Sequence, residues 1–172
     1  MAELTQKERL QPSLLDRLID DEPDKDVESR ADRVLSLRQL RSAVLRDLAW
    51  LFNTSRLDAL QDLTDYPEVK RSVLNYGIPD LTGHTASSID TKDLERMLRQ
   101  AVLEFEPRLL RDSLRIRLEL NDDQMNHNAM TFNIEGQLWA QPAPLHILLR
   151  TELDLEAGDV RVSEATGSPG GR

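Results

Sequence analysis

Glu106, Pro107 and Arg108 set an acid, a ring-locked residue and a base side by side, where a helical pattern stops and a strand pattern is about to begin. Three kinds of chemistry suit such a triplet. The proline can end a helix, because it lacks an amide donor and disfavours helical geometry at Glu106, with Arg108 satisfying the last carbonyls. Glu106 can form a carboxylate pair with Asp112, as glycosidases use one acid to protonate the leaving oxygen and another as base or nucleophile. Or Arg108 can present its planar, always-charged fork to a carboxylate or carbonyl of another chain, oriented by Glu106.

The catalytic option gains little from the surrounding sequence. With 31 acids in the chain, pairs at this spacing are common, and neither aromatic sugar platforms nor an apolar pocket able to raise a carboxyl pKa is apparent. There is no G-x-S-x-G elbow and no G-x-x-x-x-G-K phosphate cradle. The lack of cysteine excludes disulfides, thiolate metal sites and a cysteine nucleophile. His84, His127 and His146 lie far apart, and His127 between Asn126 and Asn128 reads as a turn residue. The chain is therefore expected to be neither an enzyme nor a holder of a metal or cofactor. A peptidoglycan-cleaving, lysozyme-like hydrolase using Glu106 is the catalytic alternative, and a generic cytoplasmic interaction adaptor is the other.

The elements that would position the triplet follow from hydrophobic spacing. Residues 13–19 carry Leu14, Leu15, Leu18 and Ile19 on one side of a short helix after Pro12, and the acid-dense segment 20–32 reads as a solvated linker. Leu37, Leu40, Val44, Leu48 and Leu51 make one helical stripe behind a Ser36 N-cap, and Arg38, Arg41 and Arg46 form its solvated back. Residues 72–83 read as an irregular connection pinned by Val73, Leu74, Tyr76, Ile78 and Leu81, with Gly77 as a positive-φ helix cap. Leu94, Met97, Leu98, Ala101, Val102 and Phe105 form the stripe of a second long helix, capped by Asp90. From residue 111 the period falls to two: Leu114, Ile116, Leu118 and Leu120, then Met130, Phe132, Ile134 and Leu138, then Leu145, Ile147, Leu149, Leu153 and Leu155 alternate with polar residues. Val160 and Val162 offer a short fourth strand.

The expected architecture is α+β: N-terminal helices packed on one face of a C-terminal antiparallel meander of three to four strands. Its expected divisions are an amphipathic helix and acidic linker over 1–35, the α+β domain over 36–163, and a disordered tail over 164–172. A net charge of −9 argues against nucleic acid as a partner. No apolar run approaches the ~18 residues of a membrane span, so the chain is expected to be soluble, without direct membrane insertion, and the lack of cysteine suits a cytoplasmic location. A meander has two edges of unpaired backbone groups, which favours a building block that accepts strands from other chains.

Four segments in order, "PSLLDRL", "LRDLAWLFNT" at 45–54, "SVLNYGIPDLTG" at 72–83 and "FEPRL" at 105–109, resemble the TssE family of the bacterial type VI secretion system. That family is similar to the small wedge protein of contractile phage-tail baseplates. The resemblance implies a non-enzymatic baseplate subunit that joins the wedge proteins TssF, TssG and TssK. It further implies that the chain initiates the contractile sheath of TssB and TssC by sharing strands. The family's Glu-Pro-Arg motif falls on Glu106, Pro107 and Arg108, which the resemblance makes the partner-binding residues.

Overall fold

The computed structural model describes residues 13–18, 24, 36–83, 89–119, 129–140 and 143–165. Most of the expected N-terminal arm and C-terminal tail, Pro12, Ile19, Leu120, His84 and His127 lie outside the described residues. Among the described residues four α-helices precede the sheet: α1 (Leu14–Leu18), α2 (Leu37–Phe52), α3 (Pro67–Lys70) and α4 (Thr91–Phe105). Short 3-10 turns at Leu57–Ala59 and Val73–Asn75 flank α3.

The two long helices form where their caps and stripes place them. Ser36 Oγ accepts the Gln39 amide while Gln39 Oε1 accepts the Ser36 amide, a reciprocal capping box that satisfies two donors at the start of α2. Asp90 accepts the amides of Lys92 and Asp93 and so starts α4. Leu40, Val44, Leu48 and Leu51 from α2 and Leu94, Leu98, Ala101 and Val102 from α4 are buried, with Met97 and Phe105 packed against them. Leu37 departs from the expected stripe and is 45% exposed. It lies in the first helical turn, before the first residue of α2 that reaches the core, Leu40.

The sheet is an antiparallel meander, β1 (Arg115–Glu119), β2 (Ala129–Leu138), β3 (Leu145–Asp154) and β4 (Val160–Glu164), paired in that order. Ile116 faces Ile134, Ile134 faces Leu149 and Leu153 faces Val160 across the ladders, so one face is continuously apolar. The other carries Arg115, Arg117, Glu135, His146, Glu152 and Arg161 into solvent. This is the pattern of an antiparallel sheet covered on one side. Phe52 meets Phe132 edge-to-face at 5.4 Å, joining α2 to the sheet, and α4 lies beside β1. Upstream of β1, Leu109 bridges Leu138, with Leu110 N–H bonded to Gln137 O and Trp139 N–H to Arg108 O. This pairing is out of register with β1. The turn at 111–113 takes up the slack, and Ser113 Oγ accepts the Gln137 amide at 2.9 Å where a strand carbonyl would otherwise stand.

The connection after α3 differs in part from expectation. Ile78 is buried and Tyr76 and Leu81 pack on the core, but Val73 and Leu74 are 78% and 66% exposed, because the 3-10 turn they occupy directs them away from it. Gly77 has a positive φ of 127°, for a reason other than a helix cap. Ser55 and Ile78 form a parallel bridge beside it, and a Cβ on Gly77 would lie 2.2 Å from the Thr54 carbonyl oxygen. Only glycine allows that close approach of two backbones.

Candidate functional site

Pro107 does end α4. Glu106 leaves helical geometry at φ −123° and ψ 77°, while its amide still bonds to Val102 O at 2.8 Å. The chain then folds back so that Arg108 reaches the residue two positions before it. Nε and Nη2 of Arg108 donate to the two carboxylate oxygens of Glu106 at 2.7 and 2.5 Å, and the Arg108 amide donates to Oε1 at 3.1 Å. From α2, Asp47 accepts a further bond from Nη2 at 2.5 Å. The bonds of Arg108 thus go to two carboxylates rather than to helix carbonyls. Burial alone would lower the pKa of Arg108. Hydrogen bonds and charge from Glu106, followed by those of Asp47, more than reverse this and hold it above the ordinary arginine value. Its remaining nitrogen, Nη1, is buried without a hydrogen-bond partner.

Glu106 is 2% exposed, so no solute reaches its carboxylate without opening the corner. Asp112 lies on the exposed turn beyond it. A glycosidase needs both acids facing a substrate, and a buried acid gripped by an arginine fork is suited to holding the chain in place. Among the described residues no group of three or more carboxylates or histidines could hold a metal ion.

The corner is backed by Tyr76, whose ring meets Phe105 edge-to-face at 5.1 Å and whose hydroxyl donates to Asp47 O at 3.3 Å. Burial, followed by the charges of Asp47 and Glu106, raises the Tyr76 pKa and keeps it a phenol. On its other side Asp47 meets Arg46, which reaches Asp16 of α1 at 2.7 Å and lies over the Trp50 ring at 5.0 Å. Asp16 is drawn up by burial and more strongly down by hydrogen bonds from Ser13 and Arg46, so its pKa lies below the usual carboxylate value. Acid and base alternate from α1 to the end of α4: Asp16, Arg46, Asp47, Arg108, Glu106.

Two tryptophans border this row. Trp50 stacks on Arg46 and is 49% exposed; Trp139, tied by its amide to the Arg108 carbonyl, is 47% exposed. Half-exposed tryptophans beside a fixed arginine have the composition of an interface centre. Trp50 falls two residues after Leu48, off the buried stripe of α2, which is a signal present in the sequence. Asp47 gives no such signal, since it meets Arg108 only through the tertiary fold.

The family model described as baseplate wedge protein gp25 matches residues 38–143. The chain belongs to this family. It is thus a structural component of a phage-like baseplate, in accord with the resemblance carried by the four sequence segments, and its contacts are with other baseplate and tail proteins. No curated protein and no solved structure matches the chain. The matched span holds Asp47, both tryptophans and the corner at 106–108, and ends before β3. No described helix is long and apolar enough to cross a membrane.

Proposed function

We propose that the chain is the TssE-type subunit of a type VI secretion baseplate, docking on TssF, TssG and TssK through Glu106, Pro107 and Arg108 and initiating the TssB and TssC sheath by strand sharing. On this reading it works in the cytoplasm, and other subunits attach the baseplate to the membrane. The observation that carries the reading is the family match across α2, α4 and the corner that joins them. Physical support comes from the corner's rigidity. Arg108 and Asp47 have side chains 22% and 24% exposed, so each turns one edge outward while the rest is clamped. A partner meets a charged ridge already fixed in place, with exposed Pro107 and the two tryptophans around it, and little side-chain entropy is lost on docking.

Co-expression with TssF, TssG and TssK, followed by size-exclusion chromatography, tests this. Arg108→Lys keeps a positive charge against Glu106 and Asp47 but removes the planar fork. The variant is expected to remain folded by circular dichroism and to elute apart from the wedge subunits. A folded Arg108→Lys variant that co-elutes at the wild-type ratio would contradict docking through this corner.

A further inference from the structure

The two rims of the sheet are finished differently, and from this we infer that a partner strand adds at β4 while β1 is closed to it. The inference rests on the strand-sharing reading and names the rim it uses. β4 lies beyond the family-matched residues, so it follows from this chain's own geometry.

In an antiparallel ladder the residues of an edge strand alternate between facing the sheet and facing outward. At β1, Leu118 directs its N–H outward, and α4 meets it there: Glu95 Oε1 accepts that N–H at 2.8 Å. Arg99, one turn further along α4, donates to Leu114 O at 3.2 Å and to Arg111 O at 3.0 Å. The outward groups of Ile116 are therefore bracketed on both sides. An incoming strand needs successive outward residues, and at β1 it would have to expel a carboxylate and a guanidinium to obtain them.

At β4, Asp154 N–H bonds to Asp159 O and Ala165 N–H to Leu148 O, so residues 159, 161, 163 and 165 face β3. Val160, Val162 and Glu164 face outward. Asn53, just past the end of α2, clamps the first of these: its Oδ1 accepts Val160 N–H at 2.9 Å and its Nδ2 donates to Val160 O at 2.8 Å. Arg41 pairs with the Glu164 side chain at 3.5 Å and with His146 O at 3.3 Å, and leaves the β4 backbone alone. No hydrogen bond from the described residues reaches the outward backbone groups of Val162 and Glu164. These two are consecutive outward positions.

The occupant is an extended segment of another chain, added as a fifth strand. Val162 is partly buried and packs against the core, so the segment's residue beside it is apolar. Exposed Arg161 points to the opposite face, where the next residue of the segment is acidic.

Hydrogen–deuterium exchange on the full chain, free and within an assembled baseplate carrying sheath, tests the inference. Exchange over 160–165 should slow by on the order of tenfold or more on assembly, with 115–119 unchanged. Slowing over 115–119 instead would overturn the choice of rim and leave strand sharing standing. Slowing at neither would overturn strand sharing itself, and the rim with it. Val162→Pro removes an outward N–H and no ladder bond, so it should fold and fail to support sheath growth. A folded Val162→Pro variant with normal growth would also overturn the inference.

Discussion

β1 and β4 are both five-residue edge strands of the same sheet, and each lies beside a long helix, yet their outer rims differ. At β1, two charged side chains from α4 take backbone groups on either side of Ile116. At β4, one neutral amide takes both groups of one residue and stops there. The difference teaches that an edge is blocked by the spacing of its caps more than by their number. Caps that bracket a strand leave no two successive outward residues free, while a cap at one end fixes the strand and leaves the rest for pairing.

The largest effect is expected where the β1 side of the sheet begins. Arg108→Ala leaves buried Glu106 without its partner and loosens the corner whose carbonyl pairs with Trp139, so urea unfolding should show a loss of about 3–5 kcal/mol. Next is the clamp at β4. Asn53→Ala strands the N–H and C=O of Val160, which is 6% exposed, and should cost about 2–3 kcal/mol in the same measurement. A smaller loss than that of Glu95→Ala would reverse the ranking of the two rims. Glu95→Ala with Arg99→Ala should cost only about 1–2 kcal/mol, since these caps are partly exposed, but it opens β1. Sedimentation velocity should then show more self-association than in the parent chain.

The stripes of α2 and α4 and the change to a period of two were legible because burial repeats locally along each element. Leu114, Ile116 and Leu118 announced β1, and Val160 and Val162 announced β4. The caps were not legible. Asn53 and Val160 are 107 residues apart, and Glu95 and Leu118 are 23 apart; nothing in either neighbourhood marks such a meeting. Asp47 likewise meets Arg108 across 61 residues. At the corner, the helix stop could be read from Pro107, but the direction of the Arg108 fork could not, because it depends on which carboxylates the fold brings near. Leu37, Val73 and Leu74 misled for the converse reason: an apolar residue packs only if the backbone carries it to the core, and a first helical turn and a 3-10 turn do not.

The smallest expected effect separates the row of charges from both rims. The pKa of Asp16 is held below its ordinary value, so its contribution to α1 docking is complete above the unfolded carboxylate range near pH ~4 and is lost as pH falls through the lowered value. In a Trp139→Phe background, Trp50 emission should report the resulting release of Arg46 over that acid window. Asp16→Asn should remove the transition.

The unequal rims can be measured directly in the free chain by residue-resolved amide exchange under native conditions. The Leu118 amide, bonded to Glu95, and the Val160 amide, bonded to Asn53, should exchange slowly, while the amides of Val162 and Glu164 exchange fast. Slow exchange at Val162 and Glu164 together with fast exchange at Leu118 would contradict the account.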